Sequence, residues 1–327
     1  MRPWEWSAEA KVAAVQLLCD GVLTALVVAR VPYTEIDFEA YMQQVSQIAQ
    51  GERNYGSISG STGPLVYPAG FAWLFLAIQH ATGGSVALAQ RLFACLYLAS
   101  TALALAFSAS AHSVPTAALP LLSSSKRFHS IFTLRLFNDA VVCFLTNASL
   151  AIASFYSLVA SSIVLSLAVS VKMNALLLLP PLAVLMLKRC SLASIALSAL
   201  SFVAMQLALA LPFLLHSPIS YFSSAFDLSR DFLYEWSVNW QFVPEPIFHS
   251  TFFSRSLLAL HLVSLFLLAH FKWCSDQPHG LLGAAYFTHS CAPGEGSSRR
   301  HAHPYCIMLF TYRLDTAANT IAKATLP

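Results

Sequence analysis

Charge is what this sequence has least of. Lys, Arg, Asp and Glu make up 10% of its 327 residues, where a soluble domain carries about 25%. Hydrophobic residues reach 57% and the mean hydropathy is +0.63. That balance excludes an ordinary soluble domain and predicts a polytopic membrane protein. The net charge of +3 is too small for a nucleic-acid surface, and no aromatic–basic patch accompanies it. The cysteines form no framework: Cys19, Cys95, Cys143 and Cys190 sit in or beside apolar runs and read as buried thiols. In the C-terminal region His289, Cys291, His301, His303 and Cys306 lack the spacings of a zinc site, so neither metal nor cofactor is expected. A P-loop, a dinucleotide fingerprint, a nucleophile elbow and internal repeats are missing too.

What the sequence does hold is apolar runs of membrane length. Residues 13–30, 65–81, 86–109, 192–215 and 256–271 each approach the ~20 residues of a bilayer crossing. Residues 140–171 are long enough for more than one element, 173–187 form a short run, and 114–122 are too few to cross alone. The runs are continuous rather than alternating, which favours helices over a barrel. The expected fold is an all-α bundle of about seven to nine membrane helices. Arg2 and Lys11 precede the first run, which carries Asp20 and lacks a small-residue cleavage site; it reads as a retained signal anchor.

Basic residues cluster at Arg2, Lys11, Lys126-Arg127, Lys188-Arg189 and Lys272. The loop 31–64 instead holds Glu35, Asp37, Glu39 and Glu52 against Arg53. The loop 216–255 holds Asp227, Asp231, Glu235 and Glu245 against Arg230 and Arg255. Lysine and arginine mark cytoplasmic loops, so both acidic loops are expected on the opposite side.

The first of these loops encodes its own helix. Phe38, Tyr41, Met42, Val45, Ile48 and Ala49 fall on one helical face, Glu39, Gln43, Gln44, Ser46, Gln47 and Gln50 on the other, and Gly51 is a stop. An amphipathic helix so polar is expected to lie on the membrane surface. Thr34-Glu35-Ile36-Asp37 fits a capping box, making Asp37 a helix-start carboxylate. Such a carboxylate at a membrane–water boundary also suits a general base for a lipid-linked substrate. Arg135 and Asp139 read either as an ion pair at a helix start or as functional charges, and Lys172 either snorkels or meets a lipid phosphate. The sequon at Asn147 lies inside an apolar run, where glycosylation is not expected.

Five motifs, "TEIDFEAYMQQV", "GSTGPLVYPAGF", "LRLFNDAV", "SLAVSVKMNALLLLPP" and "FDLSRDFLYEWSVNWQFVPEPIF", occur in this order. Together they resemble the dolichyl-phosphate-mannose-dependent α-1,3-mannosyltransferases of asparagine-linked glycan assembly, multi-span glycosyltransferases of the GT-C class. The resemblance covers residues 33–273; the tail 274–327 is polar, unlike the family, and expected to be disordered. It implies an endoplasmic-reticulum membrane enzyme with a luminal first loop. The implied reaction moves mannose from dolichyl phosphate mannose to dolichyl-diphosphate-linked Man5GlcNAc2, with inversion. Asp37 is then the expected base with Glu35 in reserve, and Lys172, Arg230 and Arg135 are expected at the donor phosphate. Trp236 and Trp240 read either as an interfacial aromatic belt or, with Asn239, Glu235 and Asp139, as groups that suit the sugars, rings covering C–H faces while amides and acids take hydroxyls. The alternatives are an inactive relative or a transporter; a transporter would show repeat symmetry and midplane charges, whereas the acidic groups here gather in loops.

Overall fold

The structure, a computed structural model, describes residues 7–34, 37–110, 115–227, 234 and 240–274. It is mostly helical, and its chain divides into two units. The first comprises residues 1–176 and 197–227, the second residues 177–196 and 228–327.

Twelve helices are present among the described residues: α1 Ala8–Arg30, α2 Asp37–Ala49, α3 Ala69–Thr82, α4 Val86–Ser110, α5 Lys126–His129, α6 Asp139–Phe155, α7 Leu158–Val171, α8 Leu179–Arg189, α9 Leu192–His216, α10 Pro218–Ala225, α11 Glu245–Phe248 and α12 Thr251–Leu267. Four are long and apolar enough to cross a membrane: α1, α4, α9, and α12 with its π-type continuation to Trp273. A fifth crossing arises if Thr116–Leu134 and α6, bent by 116° at their junction, count as one span. The other apolar runs make shorter helices than the sequence alone indicates. Pro68 is the N-cap of α3, so the run beginning at residue 65 yields a helix of 14 residues, about 21 Å long. The run 140–171 breaks at Tyr156-Ser157, where the Ser157 side chain caps α7.

The long helices carry their apolar side chains outward. Leu18 is 69% exposed on α1, Leu200 69% on α9 and Leu258 58% on α12. Such a surface is stable only against another apolar medium, so the chain is a membrane protein. Cys19 and Cys95 are exposed on these outer faces, contrary to the buried-thiol expectation; Cys143 is buried, and the described cysteines are all free thiols. An aliphatic surface accommodates a thiol as readily as a core does.

Inside the first unit, small polar side chains hold the helices together where lipid-like surroundings supply no hydrophobic drive. The Ser149 and Ser161 hydroxyls each donate to the other's carbonyl, at 2.9 and 2.8 Å, joining α6 to α7. On α9 Gln206 donates to the Ser166 carbonyl at 2.6 Å, while Ser166 donates to the Phe202 carbonyl at 2.8 Å. The sequon asparagine, Asn147, donates to the Ser100 hydroxyl at 2.9 Å and is 3% exposed. Asp20, which interrupts the first apolar run, is buried against Gln16 at 3.2 Å and the Tyr97 hydroxyl at 3.5 Å.

The first loop contains the strongest departure from expectation. A two-stranded hairpin, β1 Ser59–Gly60 and β2 Gly63–Pro64, pairs Ser59 with Pro64 and Gly60 with Gly63. It packs on the face of α2 that the periodicity assigns to water. Gln47 exchanges hydrogen bonds with the Ser59 backbone at 2.5 and 3.2 Å. Gln43 accepts from Ser61 at 2.6 Å, and Gln44 donates to the Gly63 carbonyl at 3.2 Å. Gln44 is consequently buried, whereas Ala49 of the expected apolar face is exposed. A glutamine row offers donors and acceptors at strand spacing, so a backbone edge competes with water for it. At Gly60 a Cβ would come within 2.6 Å of the Ala40 carbonyl oxygen, which is why the hairpin seats only glycine there.

In the second unit α8 packs its Val184 with Ala269, Trp273 and Cys274, and Lys188 donates to the Trp273 carbonyl at 2.8 Å. Cys274, placed in the tail by the sequence reading, is fully buried in this cluster. The remainder of that tail, residues 275–327, lies outside the described residues.

Candidate active site

Four segments of the first unit converge where the expected base lies. Asp37 opens α2, and its approach is set by the residues before it. The Phe38 N–H donates to the Tyr33 hydroxyl at 3.3 Å, and the Thr34 N–H to the Leu134 carbonyl at 3.4 Å. The Thr34 N–H therefore does not return to the Asp37 carboxylate as a capping box requires; a tyrosine from the preceding turn satisfies an orphan N–H of α2 instead. Among the described residues no hydrogen bond holds the Asp37 carboxylate, and it is half-buried. Its charge acts on both Tyr41 and Lys172.

Lys172 follows the last residue of α7 and Asp139 is the first of α6. The ammonium reaches both carboxylate oxygens at 2.8 Å, with side-chain exposures of 23% for Lys172 and 9% for Asp139. The sequence pairs Asp139 with Arg135 by proximity, but the structure gives it a partner 33 positions away. Arg135 instead lies over the Phe137 ring at 5.8 Å. Between them the chain turns through Leu136 at φ +53°, a left-handed conformation for a buried leucine. Such strain costs of order 1–3 kcal/mol and is repaid by starting α6 at Asp139.

The third segment is the entrance to α3. Gly70, in its first turn, faces Ser170 near the end of α7, and a Cβ there would lie 1.9 Å from the Ser170 hydroxyl and 2.8 Å from its carbonyl oxygen. Glycine thus brings the two helix ends, and with them Tyr67 and Lys172, into apposition. We expect Gly70→Ala to lose about 1–3 kcal/mol through overpacking, read as a lowered unfolding temperature in detergent; an unchanged midpoint would show that the helices can part without cost. Tyr67 is fixed from below by the Tyr55 hydroxyl, which donates to its carbonyl at 2.7 Å. The Tyr41 ring meets Tyr67, Phe71 and Phe75 edge-on, with centroids 5.9, 5.0 and 4.9 Å apart. Burial, the facing Tyr67 hydroxyl and the Asp37 charge all push the Tyr41 phenol well above its ordinary range. It stays protonated.

The fourth segment is the end of α9 with α10, which clamps the loop. Tyr55 packs edge-on against Phe213 and Tyr221, each at 4.9 Å. The Gly56 N–H donates to Ser220 at 2.7 Å, and the Ala69 N–H to the Tyr221 hydroxyl at 3.2 Å. Glu52 and Arg53 also serve the loop rather than a ligand. Glu52 accepts the Asn54 and Arg53 N–H groups, which hold its carboxyl below the usual range. Arg53 donates to the Ile48 carbonyl at 2.6 Å, closing the C-terminal end of α2.

Of the residues expected at the site, Asp37, Asp139 and Lys172 are brought together here. Glu35, Arg230, Glu235, Trp236 and Asn239 lie outside the described residues. Trp240 belongs to the second unit, packed edge-on against Phe253 at 5.3 Å. Tyr41 and Tyr67 were missed because a tyrosine on an apolar helix face, or within an apolar run, counts as hydrophobic and its hydroxyl goes unseen. The signal available was the Tyr-Pro-Ala-Gly step at residues 67–70, an extended entry followed by a side-chain-free turn.

A family model described as ALG3 protein matches residues 14–315, running past Trp273. The Dol-P-Man:Man(5)GlcNAc(2)-PP-Dol alpha-1,3-mannosyltransferase of Arabidopsis thaliana is 46% identical over 267 residues, covering 82% of this chain and 61% of that protein. The proteins of the same name from Homo sapiens and Neurospora crassa are 42% and 41% identical, covering 80% and 81% of this chain and 60% of each relative. The chain thus spans about six tenths of the length of the curated relatives it matches. No solved structure matches it. With the family model matching most of its length and relatives above 40% identity on either side of the plant–animal–fungal divide, the chain belongs to the ALG3 protein family.

Proposed function

We propose that this chain transfers mannose from dolichyl phosphate mannose, in α-1,3 linkage, to dolichyl-diphosphate-linked Man5GlcNAc2 on the luminal face of the endoplasmic-reticulum membrane. The observation that carries the reading is the Asp37 carboxylate, without a hydrogen-bond partner among the described residues, near the Lys172–Asp139 pair. The names of the relatives supply the two substrates.

The chemistry follows from these groups. Asp37 takes the proton from the acceptor hydroxyl as its oxygen attacks the anomeric carbon. The bond from that carbon to the donor phosphate oxygen breaks, and its electron pair leaves with dolichyl phosphate. A β-linked donor becomes an α-linked product in one displacement. The phosphate needs no protonation to depart, so a cation suffices, and Lys172 supplies it. Arg135 and Arg230 belong to the same donor-phosphate proposal; Trp236, Asn239, Trp240, Glu235 and Asp139 belong to the sugar-contacting one, and Glu35 is the reserve base. The finer architecture is also proposed: a GT-C-like bundle of about seven to nine crossings, counting the short apolar helices α3, α6 and α7 as spans.

The sidedness is tested by labelling. Thr62→Cys at the hairpin tip and Phe242→Cys in the later acidic loop are expected to react with a membrane-impermeant maleimide only after sealed microsomes are opened. Reaction of either in intact microsomes would place it on the cytosolic side and remove the site from the lumen. The reaction itself is tested by incubating the purified chain with dolichyl phosphate mannose and the Man5GlcNAc2 lipid. A folded parent that yields no α-1,3-linked product overturns the proposal for this chain.

A further inference from the structure

Tyr67 stands out because the proposed chemistry gives it no task. Its ring is seated on Phe71, with centroids 4.6 Å apart, and its carbonyl is held by Tyr55. The Gly70–Ser170 contact brings the turn that follows Tyr67 flush with the end of α7, and Lys172 is the residue that caps that end. Tyr41, buried and 3% exposed, meets the Tyr67 ring edge-on, with centroids 5.9 Å apart. Among the described residues no hydrogen bond engages the Tyr67 hydroxyl, on a residue that is only half-buried. Lys172 also has a donor to spare: Asp139 engages it through two contacts at 2.8 Å, and an ammonium has three N–H donors. Both carboxylate oxygens of Asp139 are already engaged by that pair. The N-terminal end of α3, beside Tyr67, adds a positive dipole end.

We propose that Tyr67 is a phosphate-binding residue: its phenol O–H, beside the Lys172 ammonium, donates to the phosphate of a bound prenyl phosphate. Two unused donors from two different helix ends, with a dipole behind one of them, match an oxyanion with several acceptor oxygens. A neutral sugar hydroxyl, by contrast, would not make the charge-assisted bonds that an anion makes with an ammonium and a helix's positive end. The inference rests on the donor-phosphate reading above and names a residue that reading does not contain.

Binding of farnesyl phosphate, with farnesol and inorganic phosphate as separate probes, tests it on the purified chain in detergent. The parent is expected to bind farnesyl phosphate more tightly than farnesol. Tyr67→Phe, which keeps the ring on Phe71, is expected to weaken farnesyl phosphate roughly 10–100-fold and to leave farnesol unchanged. Tyr41→Phe removes the neighbouring hydroxyl but leaves the Tyr67 proton, so it is expected to keep the preference for the phosphate. Equal farnesyl phosphate affinity in the parent and a folded Tyr67→Phe protein overturns the inference alone. Loss of the preference in Tyr41→Phe but not in Tyr67→Phe assigns the donor to the wrong phenol and also overturns it. A parent that does not distinguish farnesyl phosphate from farnesol overturns the donor-site reading together with the inference. Inorganic phosphate binding as tightly as farnesyl phosphate overturns the lipid-linked assignment.

Discussion

Replacing Asp37 by asparagine is expected to leave a folded protein whose mannose transfer falls about 10²–10⁴-fold, the usual contribution of a general base. The structure makes this a test of chemistry. Had the carboxylate served as a helix cap, its loss would cost about 0.5–2 kcal/mol and activity would drop with the amount of folded protein. That role is already filled, because the Tyr33 hydroxyl takes the Phe38 N–H and Leu134 takes that of Thr34. The Asp37→Asn side chain would keep the shape and the half-buried position and lose the negative charge and the ability to accept a proton. The measurement is transfer per folded molecule, with folding followed by size-exclusion profile and unfolding midpoint. Activity within about threefold of the parent would eliminate Asp37 and turn attention to Glu35.

The second large effect concerns the Lys172–Asp139 pair, which is both structural and, by proposal, chemical. Lys172→Met alone leaves Asp139, whose side chain is 9% exposed, without its counter-charge. Breaking a buried pair in this way costs about 3–5 kcal/mol, whereas removing both charges is often neutral. The single variant is therefore expected to fold poorly. The double variant Lys172→Met/Asp139→Asn is expected to regain most of the lost stability, since neither position then carries an unpaired charge. Its transfer is nevertheless expected to stay at least about 10²-fold below the parent, because a cation at a departing phosphate acts electrostatically on the transition state. Unfolding midpoints and transfer per folded molecule, measured on the same preparations, separate the two roles. Recovery of activity along with stability would reduce the pair to a structural clasp and move the donor phosphate elsewhere.

Membrane character, the long spans and the amphipathic helix of the first loop follow from local composition and period, and they were legible in the sequence. Scarcity of charge leaves the long helices no stable surface except an apolar one, and a 3.6-residue repeat buries Phe38, Tyr41, Val45 and Ile48 whatever lies beneath them. Asp37 was legible for the same reason, as an acidic residue at a helix start between apolar runs. Its neighbours were not. Periodicity distinguishes only wet from buried, so it assigned the Gln43, Gln44 and Gln47 side to water, although a two-stranded hairpin covers it. It also counted Tyr41 as an apolar residue, although the phenol faces Tyr67. The partner of Asp139 lies 33 residues away, across two helices whose spacing along the chain says nothing of which ends meet. The Ser149–Ser161 exchange holds α6 beside α7 and Gly70 against Ser170 sets where α3 meets them; a close approach of backbones is set by how helices pack, which only the tertiary structure contains.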